Sequence, residues 1–162
     1  MKLRPIYEQI ISEIGDSSSK IFPYSTAQLP AWSKLDMTGS ETSAISFKTD
    51  KDTDYEVYLQ CDDGWMQVDF TIKGNDYNHI SNKYELFSVM ATITDIIKRM
   101  IILNPTLSGI QFKPANKAGG AGTDDKNQRE KLYKAFAEKT LNKINKPFKM
   151  YNDSGYVVIE FT

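Results

Sequence analysis

Between residues 44 and 73 apolar and polar positions alternate with a period of two, the spacing of strands that bury one face. Tyr55-Glu56-Val57-Tyr58-Leu59-Gln60-Cys61 and the run from Trp65 to Lys73 read as two strands. Asp62-Asp63-Gly64 between them signals a tight hairpin, and Ala44-Ile45-Ser46-Phe47-Lys48 precedes them as a third antiparallel strand. The period then lengthens. Asn82 with Glu85 three residues on forms a helix start, and Phe87, Val89, Met90, Ala91, Ile93, Ile96, Ile97, Met100, Ile101 and Leu103 predict a helix over 84–103. It is apolar on most of its circumference, ends before Pro105, and is expected to be the most buried helix.

Ser108-Gly109-Ile110-Gln111-Phe112 follows as a short buried strand. A second helix, about 124–144, sets Leu132, Tyr133, Phe136, Thr140 and Ile144 on one face against Lys131, Lys134 and Glu138 on the other. Phe148-Lys149-Met150, the turn Asn152-Asp153-Ser154-Gly155 and the run Tyr156 to Phe161 predict a closing hairpin. At the start of the chain, Pro5 and the spacing of Ile6, Ile10, Ile11 and Ile14 predict an N-terminal helix that Gly15 stops. Residues 15–43 are irregular, with Phe22, Tyr24, Leu29, Trp32 and Leu35 as isolated anchors. Such a stretch is either a loop pinned by these side chains or an arm that lies on a partner. The class is α+β: a mostly antiparallel sheet of about six strands, a buried central helix, a C-terminal helix and an N-terminal helix.

At 162 residues the chain fits one domain, 1–162, with residues 1–43 leading into a core at 44–162. Hydrophobic residues make up 40% of it, enough to bury a core. Cys61 is the single cysteine, which excludes an intrachain disulfide and a four-cysteine zinc site and fits a reducing compartment. Charges interrupt the first residues and no 18 apolar residues run in succession, so neither a secretory signal nor a membrane span is expected. Net charge is −1, which gives no global case for nucleic acid. Its distribution is uneven. Residues 36–63 carry eight acids against two lysines, and residues 126–149 carry eight bases against two acids. Two solvated surfaces or a pair of steering patches both fit that polarity.

Candidate chemistry is sparse. Asp50, Asp52 and Asp54 begin like a calcium loop, but Tyr55 stands where glycine is needed and Cys61 where the closing glutamate belongs, so a turn is expected. His79 is the sole histidine, and no cysteine or acid at recognisable spacing completes a site with it. Acids beside Cys61 raise a thiol pKa, which makes it structural. The loop from Lys117 to Thr123 holds Gly119, Gly120 and Gly122 but no Gly-Lys-Ser/Thr triplet, and Asp124 and Asp125 already occupy the helix N-terminus, so it reads as a connector. The lysines over 126–144 have few interleaved aromatics, a weak signal for nucleic acid.

The strand–helix–strand–helix order from 65 to 136, ending in Arg129-Glu130-Lys131-Leu132-Tyr133-Lys134-Ala135-Phe136, resembles the core of the GNAT acyltransferase superfamily over roughly residues 44–161. The resemblance implies a fold in which two strands part to admit acetyl-CoA. It also implies that Tyr133 stands where a tyrosine protonates the leaving thiolate. The pyrophosphate loop would lie in Gly74 to Lys83, with Ser81, Asn82 and Lys83 in the binding position. That stretch has one glycine, Gly74, set too early for the superfamily's Gly-x-Gly/Ala pattern. The chain is also similar to a group of small tailed-bacteriophage proteins in Ile6 to Asp16, in Leu86-Phe87-Ser88-Val89-Met90-Ala91-Thr92-Ile93 and in Arg129 to Tyr133. That likeness implies a viral origin, in the cytoplasm of an infected host or in the virion. Two functions are carried forward. One is an accessory or virion-associated protein that binds a protein partner, without acyl transfer and without a cofactor. The other is an acyl-CoA-dependent N-acyltransferase with an atypical loop, Tyr133 as general acid and Asp69 or Glu56 as base.

Overall fold

The structure is a computed structural model that describes residues 20–30, 41–73, 86–112 and 123–162. It is α+β, a mixed six-stranded sheet with two long helices. The elements are β1 (Glu41–Lys48), β2 (Asp54–Asp62), β3 (Trp65–Ile72), α1 (Leu86–Leu103), β4 (Gly109–Phe112), α2 (Thr123–Lys143), β5 (Phe148–Asp153) and β6 (Tyr156–Phe161). The expected N-terminal helix, Trp32 and Leu35 lie outside the described residues.

Strand order is β1-β2-β3-β4-β6-β5. All neighbours are antiparallel except β3 and β4, which run parallel. A parallel pair needs a crossover, and α1 supplies it. The two hairpins close through two-residue turns. Asp63 and Gly64 (φ 51 and 79) and Ser154 and Gly155 (φ 52 and 82) are all left-handed, the backbone whose twist matches paired strands. β1 and β2 meet instead around Thr49, whose carbonyl accepts from the Asp52 N–H and whose hydroxyl accepts from the Thr53 N–H. Asp50 and Asp52 of the calcium-like pattern therefore lie in a turn between strands, as expected, and Asp54 opens β2.

Alternation sorts the sheet into two faces. Ile45, Phe47, Tyr55, Val57, Leu59, Cys61, Met66, Val68, Phe70, Ile110, Val157 and Ile159 are buried on one. Both helices cover that face: Val89, Met90, Ile93, Ile96 and Met100 of α1 and Tyr133, Phe136 and Leu141 of α2 join a single core. The last residues of α1, Ile102 and Leu103, are exposed, so the helix is less enclosed at its end than its composition predicts. Asn104 stops it, its side-chain amide donating to the carbonyls of Met100 and Pro30. α2 ends in a Schellman motif: Asn145 takes φ 54, its N–H donates to the Asn142 carbonyl, and the Lys146 N–H reaches back to Leu141.

Residues 20–30 are pinned as the first of the two alternatives requires. Phe22 stacks on Phe47, which stacks on Tyr55, with ring centroids 6.1 and 5.3 Å apart. The Phe22 N–H donates to Thr92 of α1, and the Tyr24 hydroxyl donates to Asp95, which Arg99 also holds at 3.0 Å. Leu29 is buried beside them.

Candidate functional site

Two concavities face opposite ways across the sheet. The first lies where β3 and β4 part. Their parallel ladder comprises three pairs, Trp65 with Gly109, Met66 with Ile110 and Gln67 with Gln111. Beyond Gln67, β3 continues to Ile72 beside β2, while β4 ends at Phe112 beside β6. The sheet forks. α1 roofs the fork with Met90, Ile93, Thr94 and Ile97, and α2 inserts Tyr133 into it.

Tyr133 is buried, its ring set edge-on to Phe70 of β3 at 6.0 Å and to Phe112 of β4 at 5.6 Å. Edge-to-face contacts of this kind add to the burial energy of the rings. Three aromatics thus fill the gap that backbone hydrogen bonds leave, and the space that the described residues line there is about 30 Å³, with an almost wholly apolar lining. The residue singled out from the sequence as an acid is therefore at the fork. Ser81, Asn82 and Lys83 lie outside the described residues, as do His79 and 117–122. Glu56 and Asp69 stand on the opposite face from Tyr133, where they accept hydrogen bonds from Tyr58 and Gln67 at 2.9 and 3.0 Å.

The second concavity is a groove of about 370 Å³ on the face that neither α1 nor α2 covers, lined by Gln60, Asp62, Trp65, Gln67, Gln111, Tyr151, Asp153 and Val158. Strand register explains it. Gln60 pairs with Gln67, Gln67 with Gln111, Gln111 with Val158, and Val158 with Tyr151. These five residues form one row running across five strands, roughly 19 Å at the usual strand spacing. The adjacent row is Asp62, Trp65, Gly109, Glu160 and Lys149.

Gly109 has a steric reason to be glycine. A β-carbon there would come within 2.4 Å of both the Trp65 ring and the Ile159 carbonyl oxygen. The indole lies over the bare backbone of β4, which fixes it as one wall of the groove. The Gln67 amide donates to Asp69, and the Gln111 amide lies 3.5 Å from the Gln67 carbonyl oxygen. Tyr151 forms the far rim, its phenol 3.4 Å from Glu160. Desolvation first, then the charges of Glu160 and Asp153, push that phenol above its ordinary pKa.

Sequence reasoning assigned Trp65, Gln67 and Gln111 to strands without bringing them together. The available signal was a tryptophan and a tyrosine at outward positions of alternating strands, where small polar residues are commoner. Among the described residues, no group of three or more His, Cys, Asp or Glu side chains is placed to hold a metal ion. No described helix is long and apolar enough to cross a membrane. Comparison with protein-family models, with curated proteins and with solved structures finds no match to this chain.

Proposed function

We propose that this chain is a GNAT-like protein of tailed-phage origin whose cofactor fork is closed, and that it works as an accessory or virion-associated protein by binding another protein. The forked parallel pair, the crossover helix and the β5–β6 hairpin beyond β4 support the fold likeness. The filling of the fork carries the functional reading. Ligand clefts run from about 300 Å³ upward, whereas Phe70, Phe112 and Tyr133 leave about 30 Å³. A pantetheine arm would have to displace a buried aromatic ring. The open groove on the other face supplies a contact surface of ligand-cleft size.

Calorimetric titration with acetyl-CoA, with desulfo and 3′-dephospho analogues as controls, tests the closed fork: no heat of binding is expected, and saturable micromolar binding would sink it. A photo-crosslinking amino acid at Tyr151 tests the protein-binding half. A discrete covalent adduct with one protein in infected-cell extract is expected, and the absence of any adduct counts against it.

The position of Tyr133 at the fork favours a second reading, N-acyl transfer with Tyr133 as general acid. Asp69 or Glu56 would then deprotonate an amine arriving from the opposite face. Under that reading Tyr133→Phe lowers turnover without loss of stability, and absence of turnover across an amine panel removes it.

A further inference from the structure

We infer that the groove on the sheet face that neither α1 nor α2 covers is a receptor for an extended, lysine- or arginine-bearing segment of a partner protein. This rests on the protein-binding reading above and names the chemistry of the partner.

Three observations combine. Among the described residues, the groove lining holds two carboxylates, Asp62 and Asp153, and no lysine, arginine or histidine. On the same face the strands place Asp54, Glu56, Asp69 and Glu160, against Lys48, which pairs with Asp54 at 3.8 Å, and Lys149, opposite Glu160. The surface is anionic around its concavity, and a cationic partner is drawn to it and oriented by it.

Second, the aromatic wall is preset. Trp65 is held over Gly109, and indole is the strongest of the aromatic partners for ammonium or guanidinium groups. Third, the row Gln60, Gln67 and Gln111 offers carboxamides at strand spacing. Each carboxamide carries two N–H groups and two acceptor lone pairs, so Gln67 and Gln111 have hydrogen-bonding capacity beyond their bonds to Asp69 and to each other with which to meet a peptide backbone crossing the strands. The row's length of roughly 19 Å matches about five to six extended residues. A cation on such a segment would sit between Trp65 and Asp62, or between Tyr151 and Asp153, with its backbone along the glutamines.

The test uses the full chain, isotope-labelled, and a synthetic probe, acetyl-Lys-Ala-Lys-Ala-Lys-amide. The expected result is saturable binding with resonance shifts centred on Gln60, Trp65, Gln67, Gln111 and Val158. Affinity should fall with added salt and drop about two- to fivefold in Asp62→Asn or Asp153→Asn, the loss of an exposed charge partner. Both variants keep the turn-compatible side-chain shape, and circular dichroism confirms their fold. The same peptide with acetylated lysines should not bind. Equal binding of the acetylated peptide, unchanged affinity in both variants, or shifts centred elsewhere would overturn the proposal. Spermine binding as tightly as the peptide would also overturn it, because a free polyamine would then be the ligand. A crosslink at Tyr151 without lysine-peptide binding leaves protein binding standing and removes the cationic assignment. Absence of both removes the two together.

Discussion

Gly109 and Tyr133 are the two residues whose replacement tests the site most directly. Gly109→Ala drives a methyl group against a backbone carbonyl and an indole at 2.4 Å. The side chain can turn aside, but the Ile159 carbonyl belongs to the β4–β6 ladder and cannot. Overpacking of this kind costs about 1–3 kcal/mol, so the urea midpoint should fall, and it should stay lowered when Trp65→Ala is added, because the clash with the Ile159 carbonyl remains. Tyr133→Ala empties the fork. Truncating a buried aromatic ring costs about 3–5 kcal/mol, while Tyr133→Phe keeps the rings in contact and should stay within about 1 kcal/mol of the parent. A large loss in the Phe variant, measured by equilibrium denaturation, would show that the hydroxyl and not the ring secures the fork.

The segment at residues 20–30 depends on side chains of α1. Asn104 is buried and holds both the helix end and Pro30. Asn104→Ala takes the amide donor from the Pro30 carbonyl, while the Met100 carbonyl keeps the backbone N–H of residue 104; the penalty is about 1–3 kcal/mol, and amide exchange should speed up in residues 20–30 more than in β2. Tyr24 adds a pH signature. Desolvation and the Asp95 carboxylate raise its phenol pKa in the folded state, so the folded form keeps its proton where the unfolded chain, near 10, begins to lose it. The contribution is complete below pH 10 and erodes above it. Unfolding free energy should therefore decline more steeply above pH 10 in the parent than in Tyr24→Phe, and parallel curves would refute the assignment. The strands and both long helices were legible in the sequence because alternation and helical spacing are local. The ends were less so: β1 begins at Glu41, β5 continues to Asp153, and Leu141 joins the core although the helical face was drawn without it. The parallel pairing of β3 with β4 was not read from the sequence, since nothing in either strand's composition states its neighbour, and the family resemblance implied only that two strands part. The groove was invisible for a related reason. Its residues come from five strands, and register alone puts them in one row.

For the whole molecule, the closed fork predicts that acetyl-CoA leaves thermal stability unchanged. A ligand at a hundred times its dissociation constant would add about 2.7 kcal/mol and raise the melting temperature. The sheet has two unequal leaves, β1-β2-β3 and β4-β6-β5, joined by three parallel pairs, whereas β2 and β3 share eight pairs. Parallel pairing is also slightly weaker per residue. Hydrogen exchange should find the slowest amides in β2 and faster ones at the β3–β4 line. That line acts as a spine between two covers, with Tyr133 as the pin. Traction applied across β1 and β5 would load those three pairs as a peel, one after another. Under tension the molecule is thus expected to open along the spine at low force before either leaf unravels, leaving two folded halves on one tether.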